Sequence, residues 1–487
     1  MSKEVRELEP KAVWGHFADL NEVPRPSKKE ERVRAFMVAF GESLGLPTMV
    51  DGIGNVIIKK PASAGMEDRT IVVLQSHLDM VHQKNADTNF DFDTQGIDMY
   101  VDGDWVKAKG TTLGADNGMG VASIMTLLKS TDIAHPPLEA LFTIDEETGM
   151  TGAIGLKGGL LDGGIMLNLD TEDDDELSIG CAGGVDITVT RPYDLENIPA
   201  GMKAYKLVVN GLNGGHSGMD IHKGLGNANK IMNRVLWRTH EHFGLRVSQI
   251  EGGSLRNAIP RESFATVLVR EADARTFEKH VAHQEAIIKK EHSTTDSNLK
   301  IAASEIEMPA KVMDVNHQEQ ILRAIYACQN GIYRMSPDIP GLVQTSNNVA
   351  RVQVNEGEIK VLCLTRSSVD SEKFDLAHSI SANFFSIGAE VDLSGSYPGW
   401  TPAPDSNIVK LMTELYQEKY NETPKVMACH AGLECGILGT HYPEMQMISF
   451  GPNIRGAHSP DEKVQISSVQ KYWDYLLETL KRIPKAS

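Results

Sequence analysis

What this chain lacks narrows its function before any motif is read. It holds only five cysteines, Cys181, Cys328, Cys363, Cys429 and Cys435, odd in number, widely spread and free of any C-x-x-C. Neither a disulfide framework nor a thiolate metal cluster follows from that pattern, and reduced, mostly buried thiols are expected. No stretch approaches the ~20 consecutive apolar residues that span a bilayer, and the first ten residues hold no apolar core of a secretory signal, so a cytoplasmic location is expected. Basic residues are outnumbered: 48 Lys and Arg face 66 Asp and Glu, for a net charge of −18. Such a field repels nucleic acid phosphates and anionic membrane surfaces, so neither is an expected partner. Short repeats and low-complexity tracts are also missing.

What is present is the composition of a soluble globular protein, 41% hydrophobic and 23% charged, and 487 residues suffice for two or three compact units of ~100–200 residues each. Helical periodicity runs from Glu4 to about Leu44 and is broken at Val23-Pro24-Arg25-Pro26-Ser27, where proline removes a donor and restricts its neighbour. Strand-like runs at 54–58, 71–75, 140–144 and 165–169, with a helical stretch from Gly118 to Lys129, predict an α/β fold with a mostly parallel sheet and flanking helices. After the glycine-rich 178–184 segment the texture changes to alternating strands, 205–209 and 264–270, with amphipathic helices. A Gly/Pro-dense stretch at 394–404 ends that block. Two such marks around one segment predict an inserted domain. Residues 1–185 and 398–487 would form one discontinuous catalytic domain, and 186–397 an inserted α+β lid or dimerisation domain.

The chemistry-bearing residues stand just past the ends of hydrophobic runs. These are His77 and Asp79 after I-V-V-L-Q-S, Glu146 and Glu147 after A-L-F-T-I-D, Asp170 closing I-M-L-N-L-D, and His458 following M-Q-M-I-S-F-G-P-N-I-R-G-A. Open α/β sheets bind ligands at that edge. Asp116, in L-G-A-D-N-G-M-G, has glycines on both sides that let backbone approach a ligand closely, and its two oxygens can bridge two cations. Each signal has a plainer reading: H-x-D as a surface pair, Asp116 as a helix N-cap, Glu146-Glu147 as a solvated acidic turn. Two adjacent buried carboxylates repel unless cations compensate, which favours a metal reading, with one glutamate binding and the other taking a proton from water. Residue chemistry alone leaves open which does which. The run from Glu172 to Glu176 reads as an ordinary exposed acidic stretch without a catalytic role. Together the set suits a pair of divalent cations in a hydrolase.

Read in order, S-H-L-D-M-V, G-A-D-N-G, D-E-E-T-G, N-L-D and G-A-H-S-P resemble the M20 metallopeptidase clan over nearly the whole chain. The segments G-C-A-G-G, G-G-H-S-G-M-D-I-H, R-N-A-I-P-R-E and H-A-G-L-E-C-G are similar to its aminoacyl-histidine (Xaa-His) dipeptidase subgroup, the bacterial carnosinases. The resemblance implies a zinc-exopeptidase-like catalytic domain in which Asp116 bridges two metals. His77 and Asp170 would complete one site, and Glu147 and His458 the other. Asp79 would orient His77, Glu146 would be the general base, and the Asp116–Asn117 peptide would be cis.

Two divalent ions ~3.5–4 Å apart acidify a shared water and polarise the scissile carbonyl. Imidazole and carboxylate donors without thiolate accept zinc first, with cobalt or manganese as substitutes. His216, in G-G-H-S-G, is the candidate donor to the oxyanion, and Arg366, in C-L-T-R-S-S, the candidate clamp for the substrate carboxylate. Asn257 and Glu434 are weaker substrate-contact candidates. The subgroup resemblance implies hydrolysis of dipeptides ending in histidine, β-alanyl-histidine (carnosine) included, and a homodimer with a closing lid is expected. Rivals are an aminotripeptidase, a broad dipeptidase or an acyl-amino-acid deacylase, and, from another class, a non-catalytic metal- or peptide-binding protein.

Overall fold

Every position of the strands Val72–His77 and Leu138–Thr143 is buried in the computed structural model, which describes residues 3–486. A strand covered on both faces is the usual setting for parallel pairing, and these two pair in parallel. Ile165–Asn168 and then Gln446–Ser449 extend the parallel run. Val56–Lys60 and Thr48–Val50 add antiparallel strands beyond Leu138–Thr143, and Glu176–Cys181 and Lys425–Cys429 lie beyond Gln446–Ser449. The fold is thus mixed α/β with a mostly parallel centre. Pairing begins at Val56 rather than at residue 54 because Gly54 takes φ 119°, outside the extended region.

The helices Lys11–Asn21 and Glu31–Ser43 flank the proline-interrupted segment. Lys11–Asn21 packs on Ala115–Lys129, which in turn packs on Val72–His77. The four parallel strands point the same way, so their carboxyl ends gather His77, the 144–147 turn, Leu169-Asp170 and Phe450 along one edge.

Contacts divide the chain into two units. One holds residues up to Gly180, Pro402–Ala428 and everything from Leu433 onward; the other holds Cys181–Thr401 with Cys429–Gly432. The second unit repeats one topology twice. Met202–Asn210, Ala228–Phe243, Arg246–Gly252, Ser263–Arg270, Ala274–Glu291 and Lys300–Glu305 form a βαββαβ module with strands ordered fourth, first, third, second. Gly183–Pro192, Val315–Ala327, Val343–Asn355, Glu358–Ser367, Asp370–Phe385 and Glu390–Tyr397 form another in the same order. The first module is inserted after the opening strand of the second, and they join where their second strands, Arg246–Gly252 and Val343–Asn355, pair antiparallel. Strand alternation builds the core beneath: Val185, Ile187 and Val189 turn to one face and share a cluster with Val235, Leu236, Leu376 and Ile380.

The 172–176 run corrects the sequence expectation, because all five residues are half-buried rather than exposed. Lys471 meets Asp174 at 2.8 Å, Lys425 meets Asp175 at 3.0 Å and Arg455 pairs with Asp173, while burial pushes Glu172 up to about 8. Four of the five cysteines are buried. Among the described residues no helix is long and apolar enough to cross a membrane.

Candidate metal centre and substrate-facing groups

The strand carrying His77 stops there, so Asp79 does not continue its face. A bend through Leu78 brings Asp79 back to the ring instead: His77 Nδ1 lies 3.3 Å from Asp79 Oδ1 and 3.1 Å from the Asp79 carbonyl oxygen. Donation from Nδ1 leaves Nε2 as the coordinating nitrogen. It faces Asp116 Oδ1 at 3.1 Å and Asp170 Oδ1 at 3.5 Å.

Asp116 stands at a kink near the start of Ala115–Lys129, with φ −82° and ψ 108°, and its carboxylate is turned to imidazoles. Glycine is required nearby, because a Cβ on Gly120 would stand 2.4 Å from both Asn117 Oδ1 and Ser76 Oγ. The Asp116–Asn117 peptide is cis, as the resemblance implies. Asn117 Nδ2 donates to the Leu169 carbonyl at 2.7 Å and to the Asp170 carboxylate, which orients the latter. The two oxygens of Asp116 part company: Oδ1 faces His77, and Oδ2 lies 3.3 Å from His458 Nε2.

After Leu138–Thr143 the chain turns through Asp145 in the left-handed region, φ 53°, into the short helix Glu146–Gly149. Asp79 accepts the backbone N–H of Glu146 at 3.0 Å and of Glu147 at 3.3 Å, so one carboxylate secures both glutamates. Glu147 Oε2 lies 3.0 Å from His458 Nε2. His458 itself is not at the edge of the main sheet. It sits in a turn between Ile454–Arg455 and Lys463–Gln465, strands of a small antiparallel sheet that also includes Trp105–Ala108. There it adopts φ 66°, a conformation unusual for a residue with a side chain and concentrated at functional turns.

The groups His77, Asp116, Asp170 and Asp116, Glu147, His458 each bring donor atoms within 4.8 Å of one another, and Glu146 lies within the same reach of His77 and Glu147. Burial pushes Glu146 up, opposed by His77 and reinforced by Asp170, Glu434 and Glu147, leaving it well above the usual carboxylate range. Burial also raises Asp170, to about 6 against the pull of His77. Asp116 goes the other way: its burial is outweighed by hydrogen bonds from His458 and His77. Cations fit this donor set. Two ligands ~2.0–2.1 Å from a tetrahedral zinc stand about 3.3 Å apart, and the imidazole–carboxylate spacings are 3.0–3.5 Å. Moreover Glu147 Oε1 is buried and makes no hydrogen bond.

Glu434 opens the helix Glu434–His441 and is buried, with Oε2 accepting from Gln75 and Thr143 at 2.7 Å each, while Oε1 has no partner. Burial raises it to about 7.

In the second unit, His216 Nδ1 accepts the backbone N–H groups of Gly218 at 3.2 Å and Met219 at 3.0 Å. The proton of the neutral ring therefore resides on Nε2, and burial, aided by Arg366, lowers the ring below its ordinary value. Arg366 donates from Nη1 to Tyr397 OH at 2.7 Å, and its Nε lies 3.5 Å from Ser217 Oγ. Asn257 is exposed, and its carbonyl accepts the Ser217 N–H at 2.7 Å. Sequence reasoning missed Tyr397 and His430. The latter is buried, pairs through Nε2 with Ser346 Oγ at 2.8 Å and is lowered by burial to about 3. Its signal was the H-A-G-L-E-C-G motif, read for Glu434 alone.

The cytosol non-specific dipeptidase of Escherichia coli (strain K12) is 43% identical to this chain over 481 residues, 99% of each. The crystal structure of aminoacylhistidine dipeptidase from Vibrio alginolyticus matches with a TM-score of 0.94 at 43% identity, over 100% of this chain and 99% of that one. Aminopeptidase PepT from Bacillus cereus, at 14% identity and a TM-score of 0.57 over 98% of this chain and 99% of its own, shares the fold alone. The sequence model of peptidase family M20/M25/M40 matches residues 73–482, and with these likenesses the chain belongs to that family.

Proposed function

We propose that this peptidase hydrolyses dipeptides at a pair of divalent cations, one held by His77, Asp116 and Asp170, the other by Asp116, Glu147 and His458. The observation that carries the reading is Asp116, whose two oxygens face two different imidazoles at 3.1 and 3.3 Å. Nitrogen and oxygen donors without thiolate suit Zn2+, with Co2+ or Mn2+ accepted. When bound, the pair supplies Lewis acidity toward a carbonyl and acidifies water.

The chain's own groups do the rest. Glu146, pushed upward by burial, takes the proton of the attacking water and returns it to the departing nitrogen. Asp79 orients His77 and fixes the turn bearing both glutamates. His216 presents Nε2–H to the oxyanion, since Nδ1 is already occupied as an acceptor. Arg366 grips the substrate carboxylate through its planar fork. Asn257 and Glu434 are secondary candidates for substrate contact; the partnerless oxygen of Glu434 suits an amine.

The substrates include Xaa-His dipeptides such as β-alanyl-histidine, on the strength of the Vibrio relative's name. A second reading, a broad dipeptidase, is favoured by the equally similar E. coli relative, which is named non-specific and cytosolic. A cytosolic location, which the E. coli relative's name supports, and a homodimer, expected from the sequence alone, belong to the same proposal. The test couples metal analysis to rates on β-Ala-His, Gly-Leu and a tripeptide. Two ions per chain, loss of activity with chelator and preference for dipeptides are expected; tripeptide preference or indifference to chelator would overturn it.

A further inference from the structure

Two buried charges outside the ligand set hold the same glycine from opposite sides. Glu462, only 2% exposed, accepts four consecutive backbone N–H groups: Leu113 at 2.7 Å and Gly114 at 2.9 Å on Oε2, Ala115 at 2.7 Å and Asp116 at 3.3 Å on Oε1. Arg25, 1% exposed, donates from Nη2 to the Gly114 carbonyl at 2.6 Å and to Asn21 Oδ1 at 3.1 Å. Its Nη1 donates to the carbonyls of Leu78 at 3.2 Å and Asp79 at 3.1 Å. Gly114 adopts φ 72°, and a Cβ there would stand 2.4 Å from Arg25 Nη2, so the contact itself demands glycine.

Neither residue reaches a ligand side chain through these bonds, yet each ties two ligand-bearing segments together. Glu462 follows His458 by four positions and grips the backbone of Asp116, joining the His458 turn to the Asp116 loop. Arg25 joins the same loop to the residues just after His77. Isolated buried charges are costly, and each here is hydrogen-bonded in full around one purpose, save Arg25 Nε, which has no partner.

The geometry points to Arg25 and Glu462 as positioning residues that form a brace for the two-cation site, Glu462 serving chiefly the His458 side and Arg25 chiefly the His77 side. This rests on the two-cation reading above. Lysine at 25 keeps the charge but lacks the planar fork that spans three carbonyls, and glutamine at 462 turns an amide donor onto backbone donors.

The test is calorimetric titration of Zn2+ into metal-free full-length wild type, Glu462→Gln and Arg25→Lys, with His77→Ala and His458→Ala assigning the two binding steps. Outer groups that hold ligands change metal affinity by about 10–100-fold. Glu462→Gln should weaken the His458 step by that amount and the His77 step at least several-fold less; Arg25→Lys should show the reverse. A general loss of structure would weaken both steps alike. Should Glu462→Gln fail to fold by circular dichroism, Glu462→Asp, too short to span four N–H groups, takes its place. Equal changes, or none, in the two steps would overturn the brace while two-ion binding by wild type upheld the cation reading. Fewer than two ions in wild type would overturn both.

Discussion

The backbone N–H of Glu146 donates to Asp79 Oδ1 over 3.0 Å, so the carboxylate beside the His77 ring also anchors the turn that carries both glutamates. Asp79→Asn retains one acceptor oxygen and sets an amide N–H against a backbone N–H. Metal affinity and turnover are both expected to fall, by about 10–100-fold for the affinity. Competition with a chelating dye and a measurement of kcat check this; wild-type values for both would contradict the anchoring role.

Glu146 is held by its backbone and raised by burial, and in the proposed reading its side chain serves proton transfer. Glu146→Ala should keep two cations per chain while kcat drops by about 10²–10⁴-fold. Metal content and steady-state kinetics on one preparation decide it. Lost cations would make Glu146 a ligand, and retained turnover would reject it as the base.

Much of this site was readable because a buried strand that ends on or just before an ionisable residue is conspicuous, as at His77 and Asp170. His458 was readable as a residue but not as a place, since its turn is built by pairing with Trp105–Ala108, a segment far away in the chain. Arg25 stood out only as part of a proline break, and Glu462, after S-P-D, belongs to no motif that marks it. Their roles lie in backbone groups of distant loops, which side-chain patterns do not encode. The doubled βαββαβ topology left no sequence repeat, because only strand order and alternation are shared between its halves.

Cation binding should release protons. Hydrogen bonds with Asp116 and Glu147 raise His458 to about 11, against burial, while the burial of His77 is outweighed by Asp170, Asp116 and Asp79. Metal-free folded protein therefore carries imidazolium protons at neutral pH that a cation must displace, and affinity rises with pH, about tenfold per unit for each proton released. The sign for stability without metal is opposite. Raised values favour folding below the unfolded value of about 6.5, and for His458 that contribution disappears as pH climbs through about 11. Titrations in two buffers of different ionisation heat measure the release; identical heats, or equal affinity at pH 5 and pH 8, would contradict it.

His216 and Arg366 come from the two different modules of the second unit, and Ser217, next to His216, lies 3.5 Å from Arg366 Nε. A second copy of the chain is not needed to bring them together. His216→Ala and Arg366→Ala should each lose most activity, Arg366→Ala chiefly through KM and His216→Ala chiefly through kcat, since in the proposed reading one group binds substrate and the other stabilises charge formed later. Mixed in equal amounts and refolded together, the two variants should remain as inactive as either alone. If His216 served the neighbouring subunit of a dimer while Arg366 served its own, half of the dimers would be mixed and each would regain one complete site, restoring about one quarter of wild-type activity. Recovery to that level would show that the pair is completed across subunits.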